Sequence, residues 1–109
     1  MMKSIDMAER YKDKVLSGKK KMTIRMGRRA FKKGEVVELT CGGEHLGFAI
    51  ITDVIYVRFS DLSDEDAYND GFSSRDELIR ELSSIYGDIK GSTIMTKIKF
   101  KLIRKYRSE

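Results

Sequence analysis

Lys21, Thr23 and Arg25 stand two residues apart in the run Lys21 to Met26. In an extended strand that spacing puts all three on one face, with Met22, Ile24 and Met26 on the other. Such a row suits recognition of anions and carbonyl oxygens. A guanidinium presents a planar fork of donors, a hydroxyl adds one donor and two acceptors, and an ammonium adds a point charge. Arg28, Arg29, Lys32 and Lys33 follow in what reads as a loop, one that either meets phosphates or is simply solvated. A carboxylate candidate lies far off in sequence. Asp70 falls at the end of a predicted helix, where the negative helix pole and Asp66 one turn earlier both disfavour ionisation. A lysine nearby would act in the opposite sense. The competing reading of Asp70 is an exposed helix-end residue making a local turn bond.

Charge is distributed unevenly. Lys12 to Lys33 carries ten Lys/Arg and one acid, Gly34 to Glu81 twelve acids and three bases, and Leu82 to Glu109 seven bases and two acids. Two basic segments around an acidic middle can form a basic face for a polyanion, although lysines also simply keep a small protein dissolved. The 109 residues suit one domain, 1–109, and an apolar content of 40% suits a modest core. No apolar run is long enough to span a membrane, and the opening "MMKSIDMAERYKDK" has no apolar centre of a signal peptide. The single cysteine, Cys41, fits a reducing, cytoplasmic setting and has core parity. With one cysteine and one histidine, His45, no zinc cluster of the usual kind is expected, and no other cofactor is implied.

The elements that must position these residues follow from periodicity. Met7, Tyr11 and Val15 recur every four residues and predict a helix over Met7 to Ser17, ended by Gly18. The alternation at Met22, Ile24 and Met26 predicts a half-buried strand, and Val37, Leu39 and Cys41 predict another. "GGEH" reads as a hairpin into the long apolar run "LGFAIITDVIYVRF", a strand partly buried on both sides and bent near Asp53. Ser63 with Asp66 resembles a capping pair, with Leu62 at the staple position and Gly71 as the stop, after which Phe72 folds back onto Ala67. Ser74 with Glu77 opens a second helix whose apolar face is Leu78, Ile79, Leu82, Ile85 and Tyr86. Ile94, Ile98, Phe100 and Leu102 alternate with Lys97, Lys99 and Lys101, as in an edge strand guarded by lysines. The order predicts an α+β fold around a small, partly closed β-barrel with flanking helices.

Taken in order, "GKKKMTIR" (18–25), "KKGEVVEL" (32–39), "LSDEDAYNDGF" (62–72) and "DELIRELSSIY" (76–86) resemble the ASCH family, named for activating signal cointegrator homology, over nearly the whole chain. That family is similar to PUA domains, small β-barrels that bind RNA. The resemblance therefore implies a PUA-like barrel, RNA or a nucleotide as partner, and a cleft in the barrel mouth. The cleft would be lined by the Gly-x-Lys-x-x-Thr-x-Arg segment, here Gly18, Lys20, Thr23 and Arg25. One bacterial branch removes acetyl groups from acetylated cytidine with a lysine, a threonine and a glutamate. The resemblance places these at Lys20, Thr23 and Asp70, the last one methylene shorter than the family's carboxylate. Strict alternation would instead put Lys21 beside Thr23, unless Lys20 lies in the turn before regular pleating begins.

Two functions are therefore expected. One is a binding module in which Lys20, Lys21, Thr23, Arg25, Arg28 and Arg29 hold RNA, a nucleotide or a modified nucleoside. Tyr56, Tyr68 and Phe72 are available there to stack on bases. The other is an amidohydrolase with Thr23 as nucleophile or water positioner, Lys20 as activating group and Asp70 as proton shuttle. A nuclease acting on RNA is a third class, with no motif of its own here.

Overall fold

The computed structural model describes residues 2–103. Ile5 and Met7 are buried while Ser4 and Asp6 are exposed, and this alternation forms strand β1 (Ser4–Met7). A 3-10 turn (Glu9–Tyr11) and a five-residue helix α1 (Lys12–Leu16) follow. The continuous helix expected over Met7 to Ser17 is thus replaced by strand, turn and short helix. The reason is tertiary: β1 lies parallel to a later strand, Ile5 beside Leu39 and Met7 beside Cys41, and a helix there would forfeit that ladder.

The remaining strands are β2 (Met22–Met26), β3 (Val36–Cys41), β4 (Glu44–Arg58) and β5 (Ile94–Ile103). They form one mixed sheet in the order β1-β3-β4-β5-β2. Gly42 and Gly43, both at positive φ, make the β3–β4 hairpin. β4 spans 15 residues and shifts register against β5 between Ile51 and Asp53, where the bend was expected. β5 lies between β4 and β2 and is no edge strand. Its lysine alternation has another cause: Lys97 reaches across to Asp66 at 2.9 Å, and Lys101 is exposed.

Between β4 and β5 come a second 3-10 turn (Phe59–Asp61), α2 (Asp64–Asn69) and α3 (Arg75–Tyr86). Ser63 caps α2 in a complete capping box with Asp66, and Ser74 accepts from Glu77 N–H at the start of α3. Phe72 N–H donates to Ala67 C=O at 2.8 Å, the closing bond after α2.

The sheet curls into a half-barrel with two cores. One is enclosed by the curl and includes Ile5, Val37, Leu39, Ala49, Ile51 and Ile98. The other joins β2 and the start of β5 to the helices through Met22, Ile24, Met95, Leu78 and Leu82. β2 is therefore buried on both faces, where half-burial was expected. Each fully buried large side chain contributes about 1.5–3 kcal/mol of transfer free energy. The curl brings the outer strands β1 and β2 opposite one another without pairing them, and the gap between them is the cleft described next.

Candidate functional site

Lys20 precedes β2, so the strand's alternation does not govern it. Gly18 at φ 82° turns the chain, Lys20 N–H donates to Lys14 C=O at 2.9 Å, and Lys21 N–H donates to Asn69 C=O at 2.9 Å. These two anchors send the Lys20 side chain inward, where it is buried, and leave Lys21 exposed outside the cleft. The Lys20 ammonium has three protons and three acceptors: the Asp70 carboxylate, Asp70 C=O at 3.2 Å and Met22 C=O at 3.4 Å. It also lies 5.1 Å from the centre of the Tyr11 ring.

Asp70 closes α2, its N–H donating to Asp66 C=O at 3.0 Å, and is buried. Burial pushes its carboxyl up to about 6, outweighing the opposing pull of Lys20 and of Arg25. Asp66, one turn earlier, moves the other way: burial is overcome by hydrogen bonds from Lys97 and Ser63, which hold it below the usual carboxylate range. Gly71 makes the close approach possible. It sits at φ 92°, and a Cβ there would stand 3.2 Å from Lys20 Cβ.

Lys20, Asp70 and Tyr11 share a cleft of about 230 Å³ with Thr23, Ile24 and Arg25 of β2, Asp6 of β1, and α3. Arg25 is half-buried, and burial lowers its pKa from the ordinary value. Its Nε donates to Thr23 Oγ1 at 3.2 Å and its Nη2 to Asp6 C=O at 2.6 Å. Among the described residues no carboxylate lies within ion-pair distance of this guanidinium. The predicted set Lys20, Thr23, Arg25 and Asp70 is therefore brought together from the turn, β2 and the end of α2.

Two cleft residues escaped sequence reasoning. Tyr11 Oη donates to the Glu81 carboxylate, which Arg10 also contacts. Burial, then Glu81, pushes the Tyr11 hydroxyl up to about 12, so it stays a donor. Tyr11 read as one more apolar helix position. Glu81 carried a signal that could have found it: an acid on α3 with Leu78, Leu82 and Ile85 at the neighbouring helical offsets. Phe72 also lines the cleft, edge-on to Tyr11 at 5.9 Å. Ile85, expected in the apolar face of α3, is instead 60% exposed at the cleft rim.

Arg28 and Arg29 lie outside the cleft, over β4. Arg28 stacks on Tyr56 at 5.1 Å, and Tyr56 Oη donates to Arg29 C=O at 3.1 Å. Arg29 Nε donates to Met26 C=O at 3.0 Å. Tyr68 is exposed and is not among the residues lining this cleft. His45 is bonded to Glu38 at 2.6 Å, and Cys41 is buried. Among the described residues no helix is long and apolar enough to cross a membrane.

The sequence profile of the ASCH domain matches residues 1–104. The chain belongs to the ASCH domain family. Solved ASCH structures share this fold. The ASCH domain from Lactobacillus crispatus superposes with a TM-score of 0.63 at 18% identity, covering 84% of this chain and 69% of that one. The ASCH protein from Zymomonas mobilis gives 0.68 at 13% identity, covering 90% and 65%. A protein from Enterococcus faecalis gives 0.73 at 17% identity, covering 100% and 85%. No curated protein matches the chain. At these identities the likeness is one of fold: the α+β, PUA-like half-barrel of the ASCH domain.

Proposed function

We propose that this ASCH domain binds RNA or a nucleotide, with one unit of the ligand entering the cleft between β1 and β2. The observation that carries this reading is Arg25. Among the described residues no carboxylate contacts this half-buried guanidinium directly, and a phosphate or carbonyl oxygen of a ligand would bring an acceptor to its remaining N–H groups. Tyr11 and Phe72 offer aromatic faces in the same cleft. Outside it, Arg28 on Tyr56 forms an exposed basic and aromatic pair suited to the next stretch of strand. The test is a binding titration with short single-stranded RNAs and with mononucleotides at several salt concentrations. Wild-type binding that Arg25→Ala removes supports the reading; equal binding by both proteins rejects the cleft as the site.

A second reading, deacetylation of acetylated cytidine, draws on one arrangement: Lys20, Thr23 and Asp70 line the same cleft. In that reaction Lys20 first hands a proton to Asp70 and becomes a neutral amine. It then takes the proton of the Thr23 hydroxyl, whose oxygen bonds to the acetyl carbon as the carbon–nitrogen bond breaks. The departing cytidine amine receives that proton, and water releases acetate. Against this reading stand the three internal hydrogen bonds of Lys20, which hold its protons in place. Acetate release from acetylated cytidine, measured beside the binding titration, separates the two.

A further inference from the structure

We infer that the main chain of Ile24 reads the pairing edge of a nucleobase: its N–H and C=O form a donor–acceptor pair facing the cleft. This rests on the reading that the cleft takes a base, and it names the atoms that recognise it.

The register fixes which way the β2 main chain points. Phe100 N–H donates to Lys21 C=O and Gly27 N–H to Ile94 C=O. In an antiparallel pair, bonded and non-bonded residue pairs alternate. The pairs Thr23–Ile98 and Arg25–Thr96 are therefore bonded, whereas Met22–Lys99, Ile24–Lys97 and Met26–Met95 are not. The main-chain groups of Met22, Ile24 and Met26 thus point away from β5, toward the free edge. β2 is the last strand of the sheet, so no further strand receives them.

Side chains occupy that edge at both ends. Lys20 Nζ donates to Met22 C=O and Arg29 Nε to Met26 C=O. Among the described residues, neither Ile24 N–H nor Ile24 C=O bonds to any protein group across the edge. Yet Ile24 is 4% exposed and lines the cleft. Buried main-chain groups are nearly always partnered, and leaving them unpartnered is costly. A ligand that brings a matching acceptor and donor would satisfy both groups.

The two plugs decide what that ligand is. An added peptide strand needs a row of free donors and acceptors, and with the Met22 and Met26 carbonyls taken, Ile24 is the one of the three residues whose N–H and C=O are both open. One donor beside one acceptor matches the pairing edge of a single base, where every base carries both. The cleft, at about 230 Å³, is of single-residue scale. Thr23 and Arg25 would then meet the sugar, phosphate or carbonyl groups around that base.

The experiment is a titration of the isotope-labelled 109-residue chain with the four nucleoside 5′-monophosphates, read at the Ile24 amide by NMR and hydrogen exchange. The expected result is that exchange at Ile24 slows about tenfold or more at saturation. A counterpart of the tightest binder, methylated on its pairing edge with unchanged charge, should bind about tenfold more weakly. Shifts at Thr23 and Arg25 with unchanged exchange at Ile24, or equal binding of the methylated nucleotide, overturn the inference and leave the nucleotide-binding reading intact. Silence throughout the cleft overturns that reading and this inference with it. Protection of Ile24 by an extended peptide, but by no nucleotide, assigns the edge to strand addition and also overturns it.

Discussion

Arg25 on β2 donates to the main-chain carbonyl of Asp6 on β1 at 2.6 Å, so one guanidinium spans the open seam of the half-barrel. The residue best placed to meet a ligand is also the one that ties the two outer strands together. Arg25→Lys tests both roles. An ammonium cannot hold Asp6 C=O and Thr23 Oγ1 while presenting a further planar donor. RNA or nucleotide affinity should fall about tenfold, near 1.4 kcal/mol, with about 1 kcal/mol lost from stability. Titration calorimetry and denaturant melts read the two effects separately.

Asp70 gives a pH signature. Its carboxyl is raised by burial to about 6 from an ordinary 3.8, so between those values the folded chain keeps a proton that the unfolded chain releases. Its contribution to stability is complete below about pH 4 and declines as pH rises through about 6. Asp70→Asn should flatten that segment of the stability–pH curve. At pH 7 the neutral Asn, which resembles the protonated carboxyl, should leave the variant at least as stable as the wild type, the gap closing toward pH 4. Denaturant unfolding at pH 4 and pH 7 checks this; parallel wild-type and variant curves would count against it. Under the hydrolase reading, turnover also rises with pH through about 6, since only the ionised carboxylate can accept the Lys20 proton.

Thr23→Val separates binder from enzyme. The β-branched shape suits the strand, so the fold should persist. A binder loses one hydrogen bond, about 1 kcal/mol of affinity. An enzyme keeps most substrate binding and loses acetate release. Single-turnover assays beside equilibrium binding distinguish the two.

The basic loop should act through salt. If Arg28 on Tyr56 meets a phosphate of single-stranded RNA, Arg28→Ala lowers the slope of log affinity against log salt by about 0.7. Arg29→Ala should do less to the slope and more to stability, about 1 kcal/mol, because its Nε is bonded to Met26 C=O. Affinities measured between 50 and 200 mM salt, about the range over which counterion release dominates, decide the point.

Gly71→Ala should weaken the site from behind. The left-handed conformation at φ 92° penalises any Cβ, and that Cβ would meet Lys20 Cβ at 3.2 Å. A loss of about 1–3 kcal/mol is expected, read by thermal melts, with cleft binding reduced in parallel.

Much of the fold was legible because its signals are local. The capping box at Ser63 and Asp66, the glycine stop at Gly71 and the alternation along β3 each depend on a few neighbouring residues. β1 was missed because four residues carry no period of their own against the following Met7-Tyr11-Val15 pattern. The place of β5 in the sheet was missed because partners far away in sequence set it, and a lysine alternation looks alike on an edge and beneath a helix. Within the site, Thr23 and Arg25 followed from alternation. Alternation chose Lys21 over Lys20 because it assumed pleating where the chain is held by Lys14 and Asn69. Glu81 interrupts the apolar face of α3, but its partner Tyr11 is set by tertiary packing and not by any local pattern.

The two cores have a dynamic consequence. Strands β4 and β5 run through both, yet the cleft lies along their seam, with Met7 from one core and Leu78 and Leu82 from the other on its walls. Such a chain should fluctuate as two cooperative blocks, a curled-sheet block and a helix-bearing block hinged on the β4–β5 ladder. Opening of the second block against the first would widen the cleft without unfolding either one. The rate at which a ligand enters and leaves would then be set by how firmly Arg25 clasps Asp6, a kinetic gate made of one side chain and one carbonyl.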